Sequence, residues 1–355
     1  MTAMTRRTAG LLLGGTALAF LAGGAALAQS NPVNITIAAY GGIFQEEYIK
    51  AVIQPFEAAN PDIKVQYYQM NNSAQTLGTI RGMQAAPQVG IAIMDVTVAK
   101  AGTDEGLFEP LTEENLPVLK DLYPQARFEG VAGPAVTFDS AALMYSPERI
   151  PEAPTSWNVL LDPKYDQRIA TTGIPSLETI SLLLIFNHMN GDKPYTESLE
   201  AGWEAMQKMA PLVLTWDPRP DPATFITNGT VDLGVGWNAR SQVYSDRSSG
   251  KLAVASLDEG TALQINTITL VKGAPNQEAS LKFIEYALSP EAQKAFTEAM
   301  FYAPVNPNAQ ISPEAMARTV AAPERMAKVI PVDWMEVAKL RPGIIEDWRK
   351  RILGQ

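Results

Sequence analysis

VNITIAAYGGIFQEEYIKAVIQPFEAANPDIKVQY, residues 33–67, changes its hydrophobic period twice. Val33, Ile35 and Ile37 alternate as in a half-buried strand, Phe44, Tyr48, Val52 and Phe56 then recur every fourth residue as on one helix face, and Ile63-Lys64-Val65-Gln66-Tyr67 alternates again. Outward from this β-α-β unit, Val89 to Met94 and Val231 to Trp237 read as short buried strands and Leu263 to Val271 as a longer one. Phe283, Ile284, Ala287 and Leu288 mark a helix face, and Ser289-Pro290-Glu291 starts a further helix with a cap residue and a proline at its first position. Strands alternating with helices predict an α/β fold with mostly parallel sheets flanked by helices. Prolines cluster over 147–154 and 211–222, which are expected to be surface loops.

At the N-terminus, Arg6 and Arg7 precede the apolar stretch Leu11 to Leu27, and Ala26-Leu27-Ala28 supplies a small-x-small cleavage pattern. This is the anatomy of a signal peptide over 1–28, with Thr5-Arg6-Arg7 leaving a Sec or a twin-arginine route open. Cleavage would remove two of 28 basic residues and none of 38 acidic ones, leaving 327 residues with net charge −12. That charge makes nucleic acid and anionic membranes poor partners. The chain has no cysteine, which excludes disulfides, thiolate catalysis and a lipidated cysteine. Its length exceeds what one core usually holds and favours two lobes.

Catalytic chemistry is nearly absent. The one histidine, His188, sits in the apolar run Leu182 to Met189 and reads as a core or helix-end residue. No nucleophile elbow, zinc-protease, phosphate-loop or calcium-loop pattern occurs. Gly234-Val235-Gly236-Trp237-Asn238-Ala239 fits the dinucleotide fingerprint, with Asp258 and Glu259 about twenty residues on. It sits past the middle of the chain, and a bulky Trp would crowd a phosphate turn, so no cofactor is expected. Tyr67 and Tyr68 are adjacent on a strand and point to opposite faces, which argues against a shared metal.

An ordered set of short motifs spans nearly the whole chain beyond residue 28: Tyr40-Gly41-Gly42, Gln54-Pro55-Phe56-Glu57, Pro61-Asp62-Ile63-Lys64-Val65, Pro154-Thr155-Ser156-Trp157, Asp162-Pro163-Lys164-Tyr165, Gly236-Trp237-Asn238, Lys272-Gly273-Ala274-Pro275-Asn276 and Tyr302-Ala303-Pro304-Val305-Asn306. Together they resemble the extracellular solute-binding proteins of bacterial ABC importers, in the spermidine/putrescine-binding branch. The resemblance implies a two-lobed type II periplasmic-binding-protein fold that closes on a ligand at its hinge. It places one lobe at 29–134 plus 267–355 and the other at 135–266.

Receptors of that branch hold ammonium groups with acids and sandwich alkyl chains between aromatics. Carried over by resemblance, the matching positions are Tyr40, Trp237 and Tyr302. Where those receptors resemble Trp-x-Asp on the hinge strand, this chain has Gln264-Ile265-Asn266, and the neutral amide of Asn266 suits a hydroxyl, carboxylate, amide or zwitterion better than a dication. Glu178 falls near another acidic position of the branch. Asp95 follows the strand Val89 to Met94, and carboxyl ends of strands are where open α/β sheets hold ligands. An arginine reaching the cleft, Arg240 or Arg81, would call for a ligand carboxylate or phosphonate.

The expectation is therefore a monomeric periplasmic receptor, not an enzyme, that captures a small nitrogen-containing solute and delivers it to an inner-membrane ABC permease. A true polyamine receptor is the first alternative, and an exported carboxylate-dependent hydrolase the second.

Overall fold

The computed structural model describes residues 32–354, so the signal peptide expected over 1–28 lies outside the described residues. Strand β1 (Val33–Tyr40) pairs in parallel with β2 (Ile63–Met70), Val33 opposite Ile63 through Tyr40 opposite Met70. Between them run α1 (Ile43–Tyr48), a π-helical stretch (Ile49–Ile53) and α2 (Gln54–Ala59). Gly42 precedes α1 at φ +69°, a backbone conformation that favours glycine. The four residues spaced by four are all buried. In a pure α-helix each such step overshoots one turn by about 40°, so the stripe would wind off the core. The wider π turn takes up the overshoot and keeps Phe56 on the face that carries Phe44.

Helix α3 (Ser73–Gly82) is capped by Asn72, whose side chain accepts from Gln75 N at 2.9 Å. Strand β3 (Ile91–Asp95) joins β1 in parallel and runs directly into α4 (Val96–Asp104), and β4 (Phe108–Glu109) follows. Strand β5 (Ala135–Tyr145) is buried along its whole length. After it come β6 (Ile169–Ala170), α5 (Leu177–Asn190), α6 (Glu200–Met209), β7 (Val213–Thr215), α7 (Pro222–Thr227), β8 (Leu233–Trp237), α8 (Asn238–Arg247) and β9 (Ala253–Val254). Strand β10 (Leu263–Val271) has the bounds read from the sequence. The chain ends with α9 (Gln277–Ala287), α10 (Pro290–Met300), α11 (Pro313–Arg318), α12 (Pro323–Met326) and α13 (Trp334–Arg351).

The sheet order is β2-β1-β3-β10-β5-β8-β6-β7. Its flanks are parallel, and its centre is antiparallel where the two long strands meet. The start of β5, through Ser140, pairs with β10, whereas Ala141 to Tyr145 pair with β8. One strand thus links both flanks, and every residue of it is buried. Helices cover the sheet, and the α/β fold expected from the alternating periods is the one observed.

One local reading changes. The proline-rich stretch 211–222 is not all loop: it contains β7, and Pro222 is the first residue of α7, with Asp221 capping Thr224 N at 2.8 Å. Phe44 stacks on Tyr48 and meets Phe296 and Tyr302 edge-on at 5.3 and 5.7 Å, a ring cluster tying α1 to α10. Each such pair adds about 0.5–1.5 kcal/mol beyond burial, and the cluster fixes where Tyr302 stands.

Candidate functional site

Tyr40 ends β1, Asp95 ends β3, and Gln264 and Asn266 open β10 beside them. These positions converge because β1 and β3 are parallel neighbours with their carboxyl ends together, and β10 enters antiparallel at that edge. The Tyr40 hydroxyl donates to Asn266 Oδ1 at 2.9 Å and lies 2.8 Å from Ser73 Oγ. Ser73 Oγ donates to Asp95 Oδ2 at 2.7 Å, and Gln264 Nε2 donates to Asp95 Oδ1 at 3.2 Å. Asn266 Nδ2 donates to Thr137 Oγ1 at 2.9 Å. Both ends of the Asn266 amide are therefore committed, at a strand position where the pairing of β10 with β5 slips between Asn266 and Thr267.

From the far flank, β8 ends at Trp237 and α8 brings in Arg240 three residues later. The Arg240 guanidinium sits over the Tyr40 ring at 5.5 Å and near the Phe44 ring at 5.9 Å, within cation–π range. Burial pulls down the pKa of Arg240, but Tyr302 and Glu178 beside it outweigh that and hold it above its ordinary value. Glu178, in the first turn of α5, accepts from Thr172 Oγ1 and from Ser176 Oγ. Burial raises the pKa of Glu178, opposed by Thr172 and by Arg240. Burial also raises Asp95, opposed by Ser73, by Arg341 and by Gln264. The Tyr40 hydroxyl is pushed well up by burial and by Asp95, so it stays a donor.

Two polar atoms of this cluster are buried without a partner: Arg240 Nε, a donor, and Gln264 Oε1, an acceptor. Buried unpaired polar groups cost about 1–3 kcal/mol each. Both atoms belong to residues that border the Tyr40–Asp95 group, Gln264 through its bond to Asp95 and Arg240 through its place over the Tyr40 ring.

Of the expected residues, Tyr40, Asp95, Gln264 and Asn266 form one hydrogen-bonded group, and Arg240, Tyr302 and Glu178 surround it electrostatically. Trp237 is buried at the junction of β8 and α8, and its indole makes no hydrogen bond or ring contact with the group among the described residues. Arg81 is elsewhere, exposed and paired with Glu105 at 2.6 Å. His188 lies exposed in the last turn of α5. The glycines of the dinucleotide-like stretch serve packing: a Cβ on Gly236 would meet Met144 at 2.9 Å, and one on Gly234 would meet Pro222 and Ile226 at 3.0 and 3.1 Å. Tyr67 bonds the Tyr40 carbonyl while Tyr68 faces solvent, as their alternation requires.

Sequence reasoning missed Ser73, Asp139 and Arg341. Asp139 is fully buried on β5 and accepts from Ala239 N with both oxygens at 3.1 Å, at the start of the helix that carries Arg240. Burial pushes its pKa up to about 8, against hydrogen bonds from Ser140 and Ala239. A lone acid inside the apolar run Pro134 to Tyr145 was the available signal. A cavity of about 250 Å³ lined by Ser140, Trp157, Asn238, Arg325 and Lys328 contains none of the expected residues. Among the described residues no three His, Cys, Asp or Glu side chains are grouped to hold a metal.

Two sheet flanks joined by shared long strands, with a polar cluster at the join, are the architecture of a solute-binding protein. The chain belongs to the bacterial extracellular solute-binding protein family, whose model matches residues 51–324. It is 25% identical over 296 residues to the gamma-aminobutyric acid-binding protein of Pseudomonas aeruginosa, covering 79% of this chain and 80% of that one. It is 26% identical over 174 residues to the spermidine/putrescine-binding periplasmic protein of Salmonella typhimurium, covering 49% and 47%. The binding protein AgtB of A. tumefaciens R10, solved in complex with agropinic acid, superposes with a TM-score of 0.77 at 17% identity over 90% of this chain and 99% of that one. The fold is thus that of the periplasmic binding proteins, and the family is one of receptors for importers, not of enzymes. The hydrolase alternative is set aside on that ground.

Proposed function

We propose that this protein is the receptor of an ABC importer for a small zwitterion that carries an ammonium group and a carboxylate a few carbons apart. The observation that carries the reading is the pairing, in one half-buried cluster, of a cation with an unbonded donor, Arg240, and two carboxylates, Asp95 and Glu178. Arg240 would take the ligand carboxylate through charge-assisted bonds. Asp95, with the unpaired Gln264 Oε1 beside it, would take the ammonium. The relative named for gamma-aminobutyric acid supports this class, and the relative named for spermidine and putrescine supports an ammonium end. A polyamine is disfavoured because its second ammonium would meet Arg240 instead of an acid.

The same reading includes two lobes, 29–134 with 267–355 and 135–266, that close on the ligand. A ligand touching both lobes binds the closed form better and shifts the population towards it, giving the permease a shape to recognise. It also includes export by a signal peptide over 1–28, by the Sec or the twin-arginine route, and a monomeric receptor in the periplasm. Isothermal titration of residues 29–355 against 4-aminobutyrate, other ω-amino acids, putrescine, spermidine and betaines tests it. Stoichiometric binding of an ω-amino acid in preference to putrescine is expected; preference for the diamine would overturn the zwitterion assignment.

A further inference from the structure

Arg341 lies far along the chain, in the C-terminal helix α13, yet it reaches the site. Its Nη1 donates to Thr97 Oγ1 at 3.1 Å, two residues beyond Asp95, and its Nη2 donates to the Pro175 carbonyl at 2.9 Å, three residues before Glu178. It is close enough to Asp95 for its charge to lower that carboxyl's pKa. The helix is anchored without it: Trp334, Val337, Ile344 and Trp348 are buried, Trp348 meets Trp216 edge-on at 4.7 Å, and Arg351 bonds Glu200 at 2.8 Å. The cluster thus holds two cations, Arg240 and Arg341, against two anions, Asp95 and Glu178, and it is balanced before any ligand enters.

We propose that Arg341 sets the charge preference of the site, offsetting one carboxylate so that a net-neutral ligand is favoured over a dication. This rests on the zwitterion reading above. Without Arg341 the site carries one net negative charge, and a second ligand ammonium becomes less costly, although it still meets Arg240.

The test uses 4-aminobutyrate and putrescine, which share an ammonium and a four-carbon length and differ at the other end. Arg341→Gln is expected to shift the ratio of their dissociation constants towards putrescine by about tenfold or more, the order of one unit charge acting across a partly buried site. Arg341→Lys, which keeps the charge, and Thr97→Val, which removes only the hydrogen bond, are expected to keep the wild-type ratio. Equal weakening of both ligands in Arg341→Gln would overturn the proposal and leave Arg341 a structural tie. A shift in the Lys or Val variant as large as in Gln would overturn it too. A wild-type protein that binds no ω-amino acid would refute the zwitterion reading itself, an outcome separable from the other two because it needs no variant.

Discussion

Replacing Arg240 by methionine separates binding from folding. In the ligand-free protein the guanidinium contributes cation–π attraction to Tyr40 and Phe44, about 0.5–2 kcal/mol, while its unpaired Nε costs about 1–3 kcal/mol. These terms offset, methionine refills most of the stem volume, and Glu178, whose pKa burial already raises, can take up a proton once Arg240 is gone, so the melting temperature of the free protein should move by no more than about 2 °C. Binding should not survive so well. Truncating one partner of a buried, hydrogen-bonded charge pair costs about 2–5 kcal/mol, a rise in Kd of about 30- to 5000-fold. Calorimetric titration with 4-aminobutyrate alongside differential scanning fluorimetry reads both quantities on the same preparation. A Kd changed less than about fivefold would refute the assignment of the ligand carboxylate to Arg240. A large fall in melting temperature would refute the account of Arg240 as a binding residue held at a cost to the empty protein.

Asp139 titrates near 8 in the folded state against an ordinary carboxyl value near 4, so between those values the native state holds a proton that the unfolded chain has lost. Its contribution is complete below the lower value and is lost as pH rises through the upper one; Asp139→Asn should flatten the fall in melting temperature between pH 5 and 9, and an unchanged pH profile would contradict the shift. Asn266→Asp loses the donor to Thr137 and buries a carboxylate at a fully enclosed position. It should cost about 2–4 kcal/mol, several degrees in a thermal melt, and an unmoved melt would mean the amide's two bonds are dispensable. Trp237→Ala should destabilise by about 3–5 kcal/mol through its cavity, whereas Trp237→Phe should keep the fold in a urea titration and reveal by its ligand affinity whether the indole takes part in binding.

The strand alternation of residues 33–40 and 63–67, the Ser289 cap and the bounds of β10 were legible because they rest on neighbours a few residues apart. The π turn in the first helix was not, since a four-residue spacing reads as α-helical until the core it must face is known. The edge strand β7 escaped because prolines at both ends of 211–222 mask three residues whose pairing with β6 is a long-range choice. At the site, a strand end pointed to Asp95, and motif resemblance to Tyr40, Trp237, Tyr302, Gln264 and Asn266. Arg240, three residues after Trp237, was the better placed of the two arginines by sequence, and the structure separates them further: Arg240 lies over the Tyr40 ring, whereas Arg81 pairs with Glu105 on the surface.

By itself the sequence determined the α/β class, the absence of thiol chemistry and the acids, amides and aromatics available to a solute, because periodicity and side-chain chemistry are local properties. Tertiary structure alone decided that Asp95 meets Ser73 across 22 residues, that Asp139 holds the start of the Arg240 helix across 100, and that Arg341 reaches Thr97 across 244. Such contacts depend on how strands are ordered in a sheet and where a distant helix is anchored, and both are set by burial summed over the whole chain.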